Sequence, residues 1–117
     1  MTAPPYLEQV RVLQQALDEP IWEQALIEPT QLKQQIQTVK ELYTQYQWLS
    51  QPDVVEENLA QRFRSIVVEI DKQLRLLEID GLFLQNARQA ATQTQRRDQI
   101  RDRLVLLNRY CEALLQL

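Results

Sequence analysis

Asp71, Glu78 and Asp80 lie close together beside Arg75, and carboxylates gathered on one helix are the raw material of di-metal sites in helical bundles. Such sites also use Glu-x-x-His ligation, and this chain has no histidine. Asp71 and Arg75 are spaced i, i+4 in the order that favours a surface ion pair, so structural pairing is the expected role. Cys111 falls between Leu107 and Leu114 at helical spacing, where a thiol packs as a small apolar side chain; a redox role is the alternative. Ser50 and Ser65 are the only serines. Without histidine, neither a Ser-His-Asp triad, nor a Cys-His nucleophile, nor a His-based metal site can be assembled from one chain. The residues by themselves point to a small helical interaction module with no cofactor; an enzyme using only Asp, Glu, Arg and Tyr is the weaker alternative.

Arg96, Arg97, Arg101, Arg103 and Arg109 form the most basic stretch, interleaved with Asp98 and Asp102. A solvated, ion-paired helix face accounts for that pattern. Docking onto an acidic protein partner, or onto a nucleic-acid backbone, are the alternatives. The net charge of −3 weighs against nucleic acid, whose binders rely on neutralising phosphates. Residues 1–58 carry three basic and nine acidic side chains, residues 59–117 ten and seven, so the two halves attract. Partner binding is expected at Arg96, Arg97, Arg101 and Arg103, whose side chains should project away from the Ile100, Leu104 and Leu107 stripe.

Leu76, Leu77, Ile79, Leu82, Phe83 and Leu84 give one helical segment apolar residues on nearly every side. A helix that is apolar all round has to be buried all round. In a four-helix monomer this segment has one face too many, which points to self-association through Leu76, Ile79, Leu82, Phe83 and Leu84; burial under an elbow at Trp22 is the alternative. Trp22, Trp48 and Tyr110 read as core or interface anchors.

Long helices are needed to position these side chains. Nineteen Leu and nineteen Gln against one Gly and five Pro favour helix, because unbranched side chains lose little rotamer freedom there. A chain of 117 residues has the length of one domain. Leu7, Val10, Leu13 and Leu17 predict a helix over 4–18, opened by Pro4 and Pro5. Asp18-Glu19-Pro20 breaks it, and residues 20–27 form a short helical elbow before Pro29. A second helix over 29–50 carries the heptad-like, coiled-coil stripe Leu32, Ile36, Val39, Tyr43, Tyr46 and Leu49. A sharp hairpin at Ser50-Gln51-Pro52-Asp53 follows.

The third stripe, Val55, Leu59, Phe63, Ile66, Ile70, Leu74 and Leu77, predicts a helix over 53–90. Gly81 is its only interruption, and one Gly costs about 1 kcal/mol without forbidding helix. Its place on the inner stripe would let another backbone approach. Continuity gives one helix of nearly forty residues, about 57 Å long. Thr92 and Gln95 fit a capping box, which starts the last helix over 93–116 with Ile100, Leu104, Leu107, Cys111 and Leu114 inside. The expected fold is an all-α antiparallel bundle of about four helices with one very long central helix, forming a homodimer. Membrane insertion is not expected, since the longest apolar run is Leu104–Leu107 and a span takes roughly 20 residues. Met1-Thr2-Ala3-Pro4-Pro5 lacks the basic start and apolar run of a signal peptide, so a reduced, cytoplasmic chain is expected.

Leu74-Arg75-Leu76-Leu77, then Asp80, Phe83-Leu84-Gln85 and Ala87-Arg88-Gln89, continue into the Gln/Arg-rich start of the last helix, Leu106-Leu107 and Arg109-Tyr110-Cys111-Glu112. This segment resembles the small cyanobacterial PatD family, described as controlling heterocyst frequency. The likeness covers roughly the C-terminal 45 residues; the N-terminal half matches only in helical pattern. It implies an all-helical, non-enzymatic regulator of cell division and heterocyst differentiation that contacts the division GTPase FtsZ, at the division site, and it assigns no catalytic residues. Gly81 departs from the larger side chain expected there. In a unicellular host only the division role carries over. The alternative from another class is a helical assembly chaperone similar in size to RbcX, cradling a client peptide.

Overall fold

The computed structural model describes residues 5–18, 20–46, 48 and 57–117, and every regular element among them is helical. The helices are α1 (Pro5–Asp18), α2 (Ile21–Ala25), α3 (Pro29–Tyr46), α4 (Glu57–Asn86) and α5 (Ala90–Leu115). Pro20 and Pro29 set the starts of α2 and α3, because a fixed φ and a missing N–H suit a helix entrance. The hairpin expected at residues 50–53 lies outside the described residues, as does the start of the third long helix at residue 53.

Among the described residues, four antiparallel pairings of the long helices surround a shared core. The Trp48 indole N–H donates to Gln9 Oε1 at 2.7 Å, tying the end of α3 to the start of α1. Lys40 pairs with Glu78 at 3.1 Å, and Gln85 donates to the Pro29 carbonyl at 3.3 Å, so α3 and α4 run in opposite directions. Arg103 meets Asp80 and Tyr110 meets Glu69 between α4 and α5. Gln14 donates to Glu112 at 2.9 Å between α1 and α5. The interior fills with Val10 and Leu13 from α1, Val39 from α3, Phe63, Val67, Ile70 and Leu77 from α4, and every predicted inner residue of α5. Tyr6 meets Phe63 edge-on at 5.1 Å, joining α1 to α4 across the bundle.

α4 runs unbroken through Gly81 for 30 residues, about 45 Å of the 52 Å long axis. Among the described residues no second backbone comes within 4 Å of where a Gly81 Cβ would stand. A Cβ there would lie 2.7 Å from the terminal methyl of Ile36, so the glycine makes room for a side chain from α3. The helix stops at Asn86, not at residue 90, although no Pro or Gly follows it. The Ala87 N–H closes a tight turn on the Leu84 carbonyl, and the Gln93 side chain donates to the Ala87 carbonyl. Extended backbone at Gln89 then starts α5 at Ala90, earlier than the predicted 93. This replaces the expected capping box. Thr92 already lies inside the first turn, and the N-cap Gln89 makes no side-chain capping bond. Among the described residues no helix is long and apolar enough to cross a membrane.

Candidate functional site

The two predicted sets of site residues meet at one place. On α4, Ile79, Leu82 and Phe83 face outward with 43, 55 and 49% of their surface exposed. Leu77, Gly81 and Leu84 occupy the opposite, inner face of the same turns. Leu84, expected in the self-association set, is buried in the chain's own core, and Leu76 is half-buried. The apolar ring is therefore split between two faces. Arg96, from the first turns of α5, lays its guanidinium 4.7 Å from the Phe83 ring centroid and donates to Gln99 at 2.9 Å.

The other predicted partner-binding arginines have partners inside the chain. Arg101 holds the Glu23 carboxylate with two hydrogen bonds at 3.0 Å and reaches Asp98 at 2.8 Å. That hydrogen bonding holds the Glu23 carboxyl below its ordinary range. Arg97 donates through Nε to the Leu26 carbonyl at 3.1 Å. Together the two arginines fasten the elbow to α5, and the Trp22 indole fastens it to α1 by donating to the Ala16 carbonyl at 2.8 Å. Arg103 does not project from the bundle as expected. It turns toward α4, where Nε donates to Asp80 at 2.9 Å and Nη1 to Gln73 at 2.6 Å.

The acidic residues of α4 are separated in the same way. Asp71 pairs with Arg75 at 2.8 Å, Glu78 with Lys40, and Asp80 with Arg103. Among the described residues, no three His, Cys, Asp or Glu side chains gather as a metal site would require. Cys111 is buried between α5 and its neighbours, and burial with the nearby charges of Asp18 and Glu112 pushes its thiol up to about 12. Burial, then the charge of Asp71, raises the Tyr43 phenol above its ordinary value.

Sequence reasoning missed the Gln73–Arg103–Asp80 network. Its signal was present: Gln73 and Asp80 are spaced i, i+7 beside the inner stripe, so two polar residues share one buried flank of α4. It also missed two recesses at the elbow end. One, of about 580 Å³, runs between the elbow and α5 along Trp22, Leu104 and Val105. The other, of about 170 Å³, closes between the elbow, the end of α4 and Arg97. Comparison of the chain with known protein families, with curated proteins and with solved structures finds no match.

Proposed function

We propose that this chain is a non-enzymatic regulatory adaptor, working as a homodimer in the cytoplasm, that contacts the division GTPase FtsZ in the manner its resemblance to the PatD family implies. Support for an interaction role comes from the outward patch of Ile79, Leu82 and Phe83 on α4. Covering these side chains gains about 25 cal/mol per Å² of apolar surface removed from water. A stable interface covers about 800 Å² per partner, so the patch serves as its centre and the neighbouring polar face of α4 as its rim.

Light scattering at about 100 µM, a concentration suited to weak dimers, tests the assembly. The wild-type chain should be a dimer and Leu82→Asp/Phe83→Asp a folded monomer; a wild-type monomer overturns the dimer. Binding to immobilised FtsZ tests the partner. Arg96→Glu should weaken that contact, and raised salt should slow its formation. No binding by the wild-type chain overturns the FtsZ reading. Arg103 is left unchanged in this test, because its reversal would set two carboxylates together inside the bundle.

The recess along Trp22, Leu104 and Val105 favours a second reading, an assembly chaperone of the RbcX type that seats a client peptide there. Capture of Rubisco large subunit without FtsZ would select it.

A further inference from the structure

We propose that the smaller recess at the elbow end is a binding site for a carboxylate on a compact apolar stem. Leu26, Leu32 and Leu84, all buried, line it, and exposed Ile27 stands at its rim. Arg97 contributes the charge. It is half-buried, and its Nε is committed to the Leu26 carbonyl. Nη1 and Nη2 have no protein partner among the described residues, whereas Arg101 and Arg103 on the same helix each hold a carboxylate.

The remaining polar groups narrow the chemistry. Gln85 and Gln93 also line the recess, but each gives an amide N–H to a backbone carbonyl, of Pro29 and Ala87 respectively. Each keeps one further amide N–H, so the guanidinium is the one charged donor among the lining residues, and its planar fork matches a carboxylate. A partly desolvated cation beside an apolar floor favours an anion that brings its own apolar surface. Size sets the stem: the recess measures about 170 Å³, and an apolar cavity of about 150 Å³ holds one benzene ring. A short branched or aryl acid fits, and so does the terminal apolar residue of a polypeptide with its free carboxylate. This inference does not depend on FtsZ or on the dimer.

Amide-resolved NMR titration of the full chain tests it, using benzoate for a free acid and N-acetyl-leucine for a chain terminus. Benzamide and N-acetyl-leucinamide serve as uncharged controls. At least one acid should give saturable shifts centred on Leu26, Ile27 and Ala87, with half-saturation on the order of 1 mM. Its amide should bind at least tenfold more weakly. Tighter binding of N-acetyl-leucine assigns the site to a polypeptide terminus, tighter binding of benzoate to a free acid. Arg97→Met should abolish saturation. Ala87→Met, which fills the recess from its half-buried wall and keeps Arg97, should do the same, and decides the matter should Arg97→Met fail to fold. Shifts from both acids that stay linear to about ten times the expected half-saturation, equal binding of acid and amide, or unchanged binding by Ala87→Met overturns the proposal.

Discussion

The Arg103 guanidinium reaches the Asp80 carboxylate at 2.9 Å between α4 and α5, where their side chains are only 21 and 8% exposed. Removing one member of such a buried pair leaves the other unpaired, at a cost of about 3 kcal/mol or more, whereas replacing both with apolar residues is often neutral. Asp80→Ala and Arg103→Ala should each lower stability in urea by about that much. Asp80→Leu/Arg103→Met should recover most of it. A double variant as unstable as the two single losses combined would show that the pair is not coupled.

Gly81 faces the Ile36 terminal methyl, which a Cβ would meet at 2.7 Å. Alanine gains about 1 kcal/mol of helix propensity over glycine but has to displace that methyl. Gly81→Ala alone should therefore change stability by less than about 1 kcal/mol. In an Ile36→Val background the methyl is gone, and Gly81→Ala should stabilise by about 1 kcal/mol. Calorimetric melting of the four chains checks this; destabilisation in both backgrounds would place the strain elsewhere.

Cys111 ties stability to alkaline pH. Its thiol is pushed from an ordinary 9.0 up to about 12 in the folded chain. Below the unfolded value both states hold the proton and pH has no effect. Above it the unfolded thiol ionises first, so stability falls as pH rises toward the folded value, by about 1.4 kcal/mol per unit. Tyr43, also raised, adds a loss of the same sign at higher pH. Urea melts from pH 8 to 10 should show a flatter decline for Cys111→Ala than for the wild-type chain. Parallel declines would mean that the thiol ionises alike in both states.

Arg101→Gln should loosen the elbow without unfolding the bundle. It removes the two hydrogen bonds to Glu23, an exposed carboxylate whose pairing adds little to global stability. Hydrogen exchange at residues 23–28 should quicken while the midpoint of global unfolding stays put. The Glu23 contribution has a definite sign with pH. Its carboxyl is held low, so the contribution is present above the ordinary value of 4.5 and is lost as pH falls through the folded value. Unchanged exchange at the elbow would show that Trp22 and Arg97 hold it alone.

Helix identity and inward faces were legible in the sequence, because both follow from local periodicity. The α5 stripe Ile100, Leu104, Leu107, Cys111 and Leu114 is buried as its spacing predicts, and Pro20 and Pro29 bound the elbow as proline must. Uninterrupted helix through Gly81 was legible too, since one glycine costs less than the packing of 30 residues sustains. A turn between residues 90 and 93 follows from the sequence, but its place at 87–89 does not. Residues 87–89 contain no breaker, and the chain reverses there so that α5 can lie back on α4, with Arg103 against Asp80 and Tyr110 against Glu69. The destination of each arginine was equally hidden. Arg96, Arg97, Arg101 and Arg103 look alike along the chain, yet one covers an aromatic ring, one caps the elbow, one grips Glu23 and one enters the bundle. Residue type and helical spacing fix which apolar side chains turn inward; only the packing of helices distant in sequence fixes where each charged side chain goes and which partner it meets there.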